Sequence, residues 1–449
     1  MSPAPQDPLP PPSPPPPRQG AGHLLPRSAE RVPVPGPVHG IVPPHLLRRI
    51  ADGPTGQSAD AARRTLALGA RTTATREVRA ARTGRTDAPT GTRPQSSPDA
   101  PSASAGLLPP HIAQRLPRPD PAARPAVPDG RAAAAGTTPS TAPGAATSAV
   151  PEAGLGPRRS IHDAAGGTAL PGRLVRAEGA DPTGDPSADE AYDALGATWE
   201  LYARAFGRDS LDGAGMELVS SVHYGQDFAN AYWDGEQMVF GDGDGVYFTS
   251  FTGAVDVIGH ELTHGVVQHT AGLIYLAQPG ALHESIADCF GAMAAQHQRG
   301  QRAEEADWLI GAGLFTDAVQ GVALRSMKAP GTAYDDPVLG KDPQPDSMAH
   351  YADLPHDAEN DNGGVHINSG IPNRAFYLAA TGIGGRTEEG AGLLWYDALT
   401  RGGLPRDADF ATFAAATLAA AEARHGADSA ERAAVAEAWR TVGVLEGEA

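Results

Sequence analysis

His260-Glu261-Leu262-Thr263-His264 narrows more than any other stretch what this 449-residue chain can become. Two imidazoles four residues apart lie one above the other on a helix face, at a separation that a single tetrahedral metal ion can bridge. Glu261 between them is the natural base for a water polarised by that ion. The motif is flanked by Val257-Ile258 and Val266-Val267. It therefore reads as a buried helix, not a solvated surface one, and buried histidines need partners. Two histidines hold zinc weakly, so a third ligand is expected. Glu284 lies in a second apolar-periodic run, Ala281 to Phe290, that reads as a neighbouring helix and supplies that ligand. Asp288, one helical turn further on the same face, is expected to accept the far N–H of His260.

The run from His260 to Tyr275, followed by Gly280 to Gly291, resembles the active-site region of the thermolysin family of zinc metalloendopeptidases. Three further blocks resemble that family in the same order. Asn230-Ala231-Tyr232-Trp233-Asp234-Gly235 is similar to its substrate-backbone strand, and Leu324-Arg325-Ser326-Met327 to its arginine segment. Asp361-Asn362-Gly363-Gly364-Val365-His366-Ile367-Asn368-Ser369-Gly370 is similar to its second histidine segment. The resemblance spans roughly residues 159 to 445.

What it implies is specific. The fold would be an α+β, two-lobed zincin: a β-rich N-terminal lobe, a central helix bearing the H-E-x-x-H motif, and a mainly α-helical C-terminal lobe, divided as 159–305 and 306–449. The activity would be that of a zinc-dependent neutral endopeptidase with one catalytic ion on His260, His264 and Glu284 and with Glu261 as base. Tyr275 and His366 would stabilise the carbonyl oxygen, Asp361 keeping His366 cationic. Asn230 and Ala231 match positions that bind substrate backbone, and Arg325 matches the arginine that bonds a substrate carbonyl. Phe248, Phe251, Val257, Ile310, Leu314 and Leu324 match an apolar pocket, implying cleavage on the amino side of large hydrophobic residues. Calcium is doubtful: Asp256 and Asp307 fit the family's calcium site, but Ala295, Leu309 and Ala312 replace its other acidic positions.

The first third of the chain is different in kind. Residues 1 to 158 hold 32 of the 43 prolines and none of the 25 aromatic residues. Such a segment cannot bury enough apolar area to offset its ordering entropy, so a disordered Pro-rich tail (1–37) and a disordered linker (86–158) are expected. The same residues carry 18 Arg, no Lys and 10 acids, a net of +8, against −26 for the remainder. The two parts should attract each other. Nucleic acid is not expected as a partner, because no aromatic residue accompanies the arginines and the acidic body would repel it. No run is apolar enough to span a membrane, and the N-terminus lacks the basic start and apolar core of a secretory signal. The family resemblance implies secretion; a cytoplasmic location is the alternative. Cys289, the one cysteine, reads as a small buried hydrophobe.

Within that third, Ile41-Val42-Pro43-Pro44-His45-Leu46-Leu47-Arg48-Arg49-Ile50-Ala51 has apolar residues at helical spacing, and the pattern continues from Ala61 to Ala70. It resembles the short prosegment of the protealysin-like branch of the same family, so residues 38–85 are expected to dock on the catalytic body and keep it inactive. A partial echo, Leu107-Leu108-Pro109-Pro110-His111-Ile112-Ala113-Gln114-Arg115-Leu116, is not part of the family pattern. The partners expected are therefore peptide and protein substrates and the chain's own prosegment. The alternative is a self-inhibited or non-catalytic zinc-containing module, in which this segment fills the cleft for good and the proline-rich tail binds other proteins. Gly241-Asp242-Gly243-Asp244-Gly245 lacks the spacing of a calcium loop and reads as a β-hairpin turn.

Overall fold

The computed structural model describes residues 39–53, 56–83, 156–401 and 403–446. The expected disordered tail and linker fall outside them, apart from residues 156–158. The chain enters through a two-residue strand β1 (His39–Gly40), helix α1 (Pro44–Asp52) and helix α2 (Gln57–Thr83). Pro43 caps α1 in an extended conformation, and Pro44 occupies its first turn, where a missing N–H costs nothing. Leu46, Leu47, Ile50 and Ala51 form its buried face. Helicity breaks at Gly53, so the helical pattern from Pro44 to Ala70 forms two helices where the sequence suggested one run.

Strands β2 (Arg159–Asp163) and β3 (Arg173–Ala177), helix α3 (Pro186–Phe206), and strands β4 (Leu218–Val222), β5 (Ala231–Trp233) and β6 (Met238–Phe240) build the N-terminal lobe. Their sheet runs β1-β5-β6-β4-β2-β3. One of its two edges is β1, antiparallel to β5 with His39 opposite Trp233 and Gly40 opposite Tyr232. The segment before the catalytic body thus completes the body's own sheet. The glycine-aspartate loop after β6 is not a hairpin turn between paired strands. It closes on Asp244, whose Oδ1 accepts the N–H groups of Val246, Tyr247 and Phe248 at 2.8–3.1 Å.

Two helices then cross at the centre: α4 (Val255–Gln268) and α5 (Ala277–Arg299). Their backbones meet at glycines. A Cβ on Gly291 would stand 2.3 Å from the Asp256 carbonyl oxygen, and one on Gly259 would stand 3.0 Å from the Gly291 Cα. Only glycine permits that approach, which brings α5 close enough for its carboxylates to reach the α4 histidines.

The C-terminal lobe begins with short strands, β7 (Leu309–Ile310) paired with β8 (Arg325–Ser326), and β9 (Asp335–Asp336) with β10 (Gly340–Lys341). Helices follow: α6 (Asp361–Asn368), α7 (Gly370–Ile383), α8 (Ala391–Thr400), α9 (Phe410–His425) and α10 (Ala430–Thr441). The last two match the alanine-rich runs of the sequence and are N-capped by Asp409 and Ser429, which accept the N–H groups of Thr412 and Arg432. The molecule is an α+β protein with a β-rich lobe, a central helix pair and a helical lobe.

Candidate active site

Helix α4 turns His260 and His264 the same way, with their Nε2 atoms 3.0 Å apart. Glu284 on α5 brings one carboxylate oxygen to 3.4 Å from His260 Nε2 and the other to 3.6 Å from His264 Nε2. All three side chains are buried. Glu284 Oε2 has no hydrogen-bond partner among the described residues. Convergent imidazole nitrogens beside an orphaned buried carboxylate oxygen fit a cation, and two nitrogens with one oxygen suit zinc. Glu261 also lies in this cluster, its ligand atom within 4.8 Å of those of the two histidines. Its Oε2, however, accepts the backbone N–H of Trp233 at 2.9 Å, which ties it to the β5 wall. Burial pushes the Glu261 carboxyl up to about 8, against the lowering charge of His260. Burial would raise Glu284 as well, but the charges of His366 and His260 beside it outweigh that and hold Glu284 at about 2.

Asp288 does what the spacing predicts, with Oδ1 2.8 Å from His260 Nδ1. It does more besides: Arg325 grips both its oxygens, and Asn373 Nδ2 donates to Oδ2 at 2.8 Å. Burial would raise the Asp288 carboxyl, yet the Arg325 charge and the His260 bond hold it well below the carboxylate range. Asn373 escaped the sequence reading; the available signal was an amide amid the apolar residues Ile371, Ala375 and Phe376 of a buried helix.

The first residues of α6 are not helical. Asp361, Asn362, Gly363 and Gly364 all take left-handed conformations, with φ between 52° and 82°, a run that Asn, Asp and Gly tolerate best. This turn reverses the chain so that Asp361 accepts the backbone N–H of His366 at 2.8 Å and lies 2.6 Å from its Nδ1. Burial opposes a charge on His366, but Asp361 and Glu284 prevail and raise it to about 9. His366 Nε2 lies 3.3 Å from the Tyr275 hydroxyl, which donates to Glu284 Oε1. Tyr275 and His366 therefore face the same point beside the histidine pair.

Along the cleft, Asn230, Ala231 and Arg325 meet main chain. Ile41 N–H donates to Ala231 O at 3.1 Å, and Val42 N–H donates to Asn230 Oδ1 at 2.9 Å. Asn230 Nδ2 reaches Val42 O at 3.3 Å, and Arg325 Nη1 reaches Ile41 O at 3.1 Å. Ile41 and Val42 are almost wholly buried. Arg48 of α1 donates to the carbonyls of Ala358 and Glu359, just ahead of the Asp361 turn. Phe248, Phe251, Val257, Ile310, Leu314 and Leu324 are all buried. Ile310 pairs with Arg325 across β7 and β8, and Leu324 donates its N–H to Ile310 O. At the expected calcium position, Asp256 Oδ2 accepts Gly311 N–H at 2.5 Å, and Asp307 stands 3.9 Å from the guanidinium of Arg299.

Paired helix-borne histidines, a carboxylate from the neighbouring helix, and a substrate-like strand on the sheet edge define a metallopeptidase of the zincin class. Residues 164–268 match the catalytic domain of thermolysin metallopeptidase, and residues 271–444 match its alpha-helical domain. An extracellular metalloprotease of Pectobacterium carotovorum subsp. carotovorum is 54% identical over 286 residues, covering 64% of this chain and 81% of that protein. Protease PrtS of a Photorhabdus species is 51% identical over 286 residues, covering 64% of this chain and 76% of that one. Among solved structures, the precursor of protealysin, a metalloproteinase from Serratia proteamaculans, superposes with a TM-score of 0.68 at 42% identity, covering 91% of this chain and all of that one. The chain belongs to the thermolysin family of metallopeptidases, whose members depend on zinc, and it is a metalloendopeptidase.

Proposed function

We propose that this metalloendopeptidase is made as a latent proenzyme and, once matured, cleaves peptide bonds before large hydrophobic residues. His260, His264 and Glu284 would hold the zinc, which supplies Lewis acidity to a substrate carbonyl and to water. Glu261, held by Trp233 N–H, takes the proton of the attacking water. Tyr275 and His366 donate hydrogen bonds to the oxygen on which negative charge develops, and Asp361 keeps His366 cationic for that task. Asn230, Ala231 and Arg325 align the substrate backbone, and the six buried apolar side chains form the pocket that selects the residue after the scissile bond.

The observation that carries the latent state is the threading of Ile41 and Val42 through the four main-chain bonds that a substrate needs. While they stay, no peptide can bind. Arg64 adds an ion pair from α2 to Asp227 of the body, at 2.8 Å. The family's calcium site should be absent or much weakened, because Ala295, Leu309 and Ala312 stand where its other carboxylates would be. The extracellular naming of relatives supports export of this chain too. Among the described residues, no helix is long and apolar enough to cross a membrane.

Hydrolysis of a doubly blocked peptide with Gly-Leu at its centre tests this reading, with mass spectrometry following the N-terminus of wild type and Glu261→Gln. Cleavage before Leu should appear only as wild type loses the segment before about residue 156, and Glu261→Gln should keep its full length. A wild type fully active with its N-terminus intact would overturn the latent state. Zinc-loaded wild type that is trimmed yet inactive would favour the binding-module alternative.

A further inference from the structure

The segment that fills the cleft has a repeat. His39-Gly40-Ile41-Val42-Pro43-Pro44-His45 is matched by Ala105-Gly106-Leu107-Leu108-Pro109-Pro110-His111, and the apolar spacing continues through Ile112 and Leu116. We propose that residues 106–116 are a second cleft-binding inhibitor, which occupies the same groove when the chain is cut between the two copies. The inference rests on the latent-proenzyme reading above.

Each requirement that the first copy meets is read from its contacts. The bonds to Ala231, Asn230 and Arg325 are made by the main chain of Ile41 and Val42, so any two extended residues with free N–H groups can make them. Leu107 and Leu108 have them and are apolar, as the two buried positions demand. The preceding residue has to be glycine. A Cβ on Gly40 would lie 2.7 Å from Asn230 Nδ2, and that amide is pinned at both ends by Val42. Gly106 keeps this feature. Pro43 and Pro44 cap and start α1, and Pro109 and Pro110 can do the same for a helix presenting Ile112 and Leu116 where Leu46 and Ile50 are buried.

Two positions differ in ways that rank the copies. Ala113 stands where the buried Leu47 fills space, and Gln114 replaces Arg48, whose guanidinium reaches the carbonyls of Ala358 and Glu359. The second copy should therefore bind roughly tenfold or more weakly than the first. Reach is no obstacle. About forty residues separate Leu116 from Arg159, and that many can span about 140 Å when extended. A cut after the first copy would leave the second tethered to the enzyme at a high effective concentration.

The full-length chain carrying I41L, V42L, L46I, L47A, R48Q and I50L places the second copy where the first now sits. It should still be purified latent, measured on the blocked Gly-Leu peptide; activity equal to that of matured wild type with an intact N-terminus would overturn the proposal. Independently of how that chain folds, peptides of residues 38–52 and 104–118 are added to matured wild type. Both should inhibit competitively and exclude one another, the second more weakly, with a scrambled 104–118 peptide inert. Inhibition by 38–52 alone sinks the second copy and leaves the proenzyme reading standing. If neither peptide inhibits, cleft occupancy by the first copy falls, and the proposal with it.

Discussion

Asp288 and Arg325 meet through two parallel hydrogen bonds, Nε to Oδ2 and Nη2 to Oδ1, each 2.8 Å long. The same Oδ1 lies 2.8 Å from His260 Nδ1. One carboxylate therefore orients a metal-site histidine and the arginine that grips main chain in the cleft. Asp288→Asn should weaken zinc binding about 10- to 100-fold, as loss of a ligand's supporting carboxylate generally does. It should also raise KM and, by leaving Arg325 buried with a neutral partner, lower stability by about 3–5 kcal/mol. Chelator competition, steady-state kinetics and denaturant melts read the three effects; unchanged zinc affinity would break the link.

The alkaline side of the activity profile should belong to His366. Its imidazole is raised to about 9 and must be charged to donate, so kcat/KM should fall as pH rises through that value. Removing the supporting charge with Asp361→Asn should shift this limb toward lower pH as well as slowing the reaction. A limb that stays in place would assign it to another group.

Gly291→Ala tests the helix crossing. The added methyl would stand 2.3 Å from the Asp256 carbonyl oxygen, so α4 and α5 must separate. A loss of about 1–3 kcal/mol is expected from the overpacking, together with weaker zinc retention because Glu284 and Asp288 recede from the histidines. Wild-type melting and metal content in the variant would contradict the close-approach account.

Acid should loosen the cleft-binding segment through His45. Burial is the main reason that its imidazole is lowered from 6.5 to about 4; Asp361 opposes this, while the cationic His366, Arg49 and Arg48 add to it. A base with a depressed docked pKa favours docking fully above pH 6.5, and the advantage shrinks as pH falls from 6.5 toward 4, by about 3 kcal/mol in all. Latent protein should thus mature faster at pH 5 than at pH 7, and His45→Leu should flatten that dependence. Equal maturation rates for wild type at both values would exclude His45 as the cause.

A calcium-selective chelator should leave thermal stability and activity unchanged at saturating zinc. Calcium needs about six to eight oxygens, and with Ala295, Leu309 and Ala312 beside them Asp256 and Asp307 offer too few, Asp256 Oδ2 being engaged by Gly311 N–H as well. A marked fall in the melting temperature on chelation would show that calcium is bound after all.

Sequence legibility followed how local each signal is. The helix-borne pair His260 and His264, and Glu284 and Asp288 one helical turn apart, could be placed because a helix converts spacing directly into a shared face. Asn373 could not, since its meeting with Asp288 depends on how α7 packs on α5, which no local pattern encodes. The break at Gly53 and the closure of residues 241–245 on Asp244 were missed or misread for a similar reason: whether a glycine ends an element or merely decorates it is settled by neighbouring packing. The bonds of Ile41 and Val42 to Asn230 and Arg325 join residues some 190 and 280 positions apart, a pairing visible only once both ends are folded.

Strand β1 is one edge of a six-stranded sheet and, among the described residues, the only strand of that sheet contributed by the segment ahead of Arg159. If it leaves, Ala231–Trp233 become an edge with unsatisfied amides and carbonyls, a surface that folded proteins ordinarily shield. A newly synthesised chain with β1 in place would never display that edge while it is still folding. After maturation each substrate would restore the missing strand for the duration of its stay, so the peptidase would recognise its prey by the same rule that assembles its own sheet.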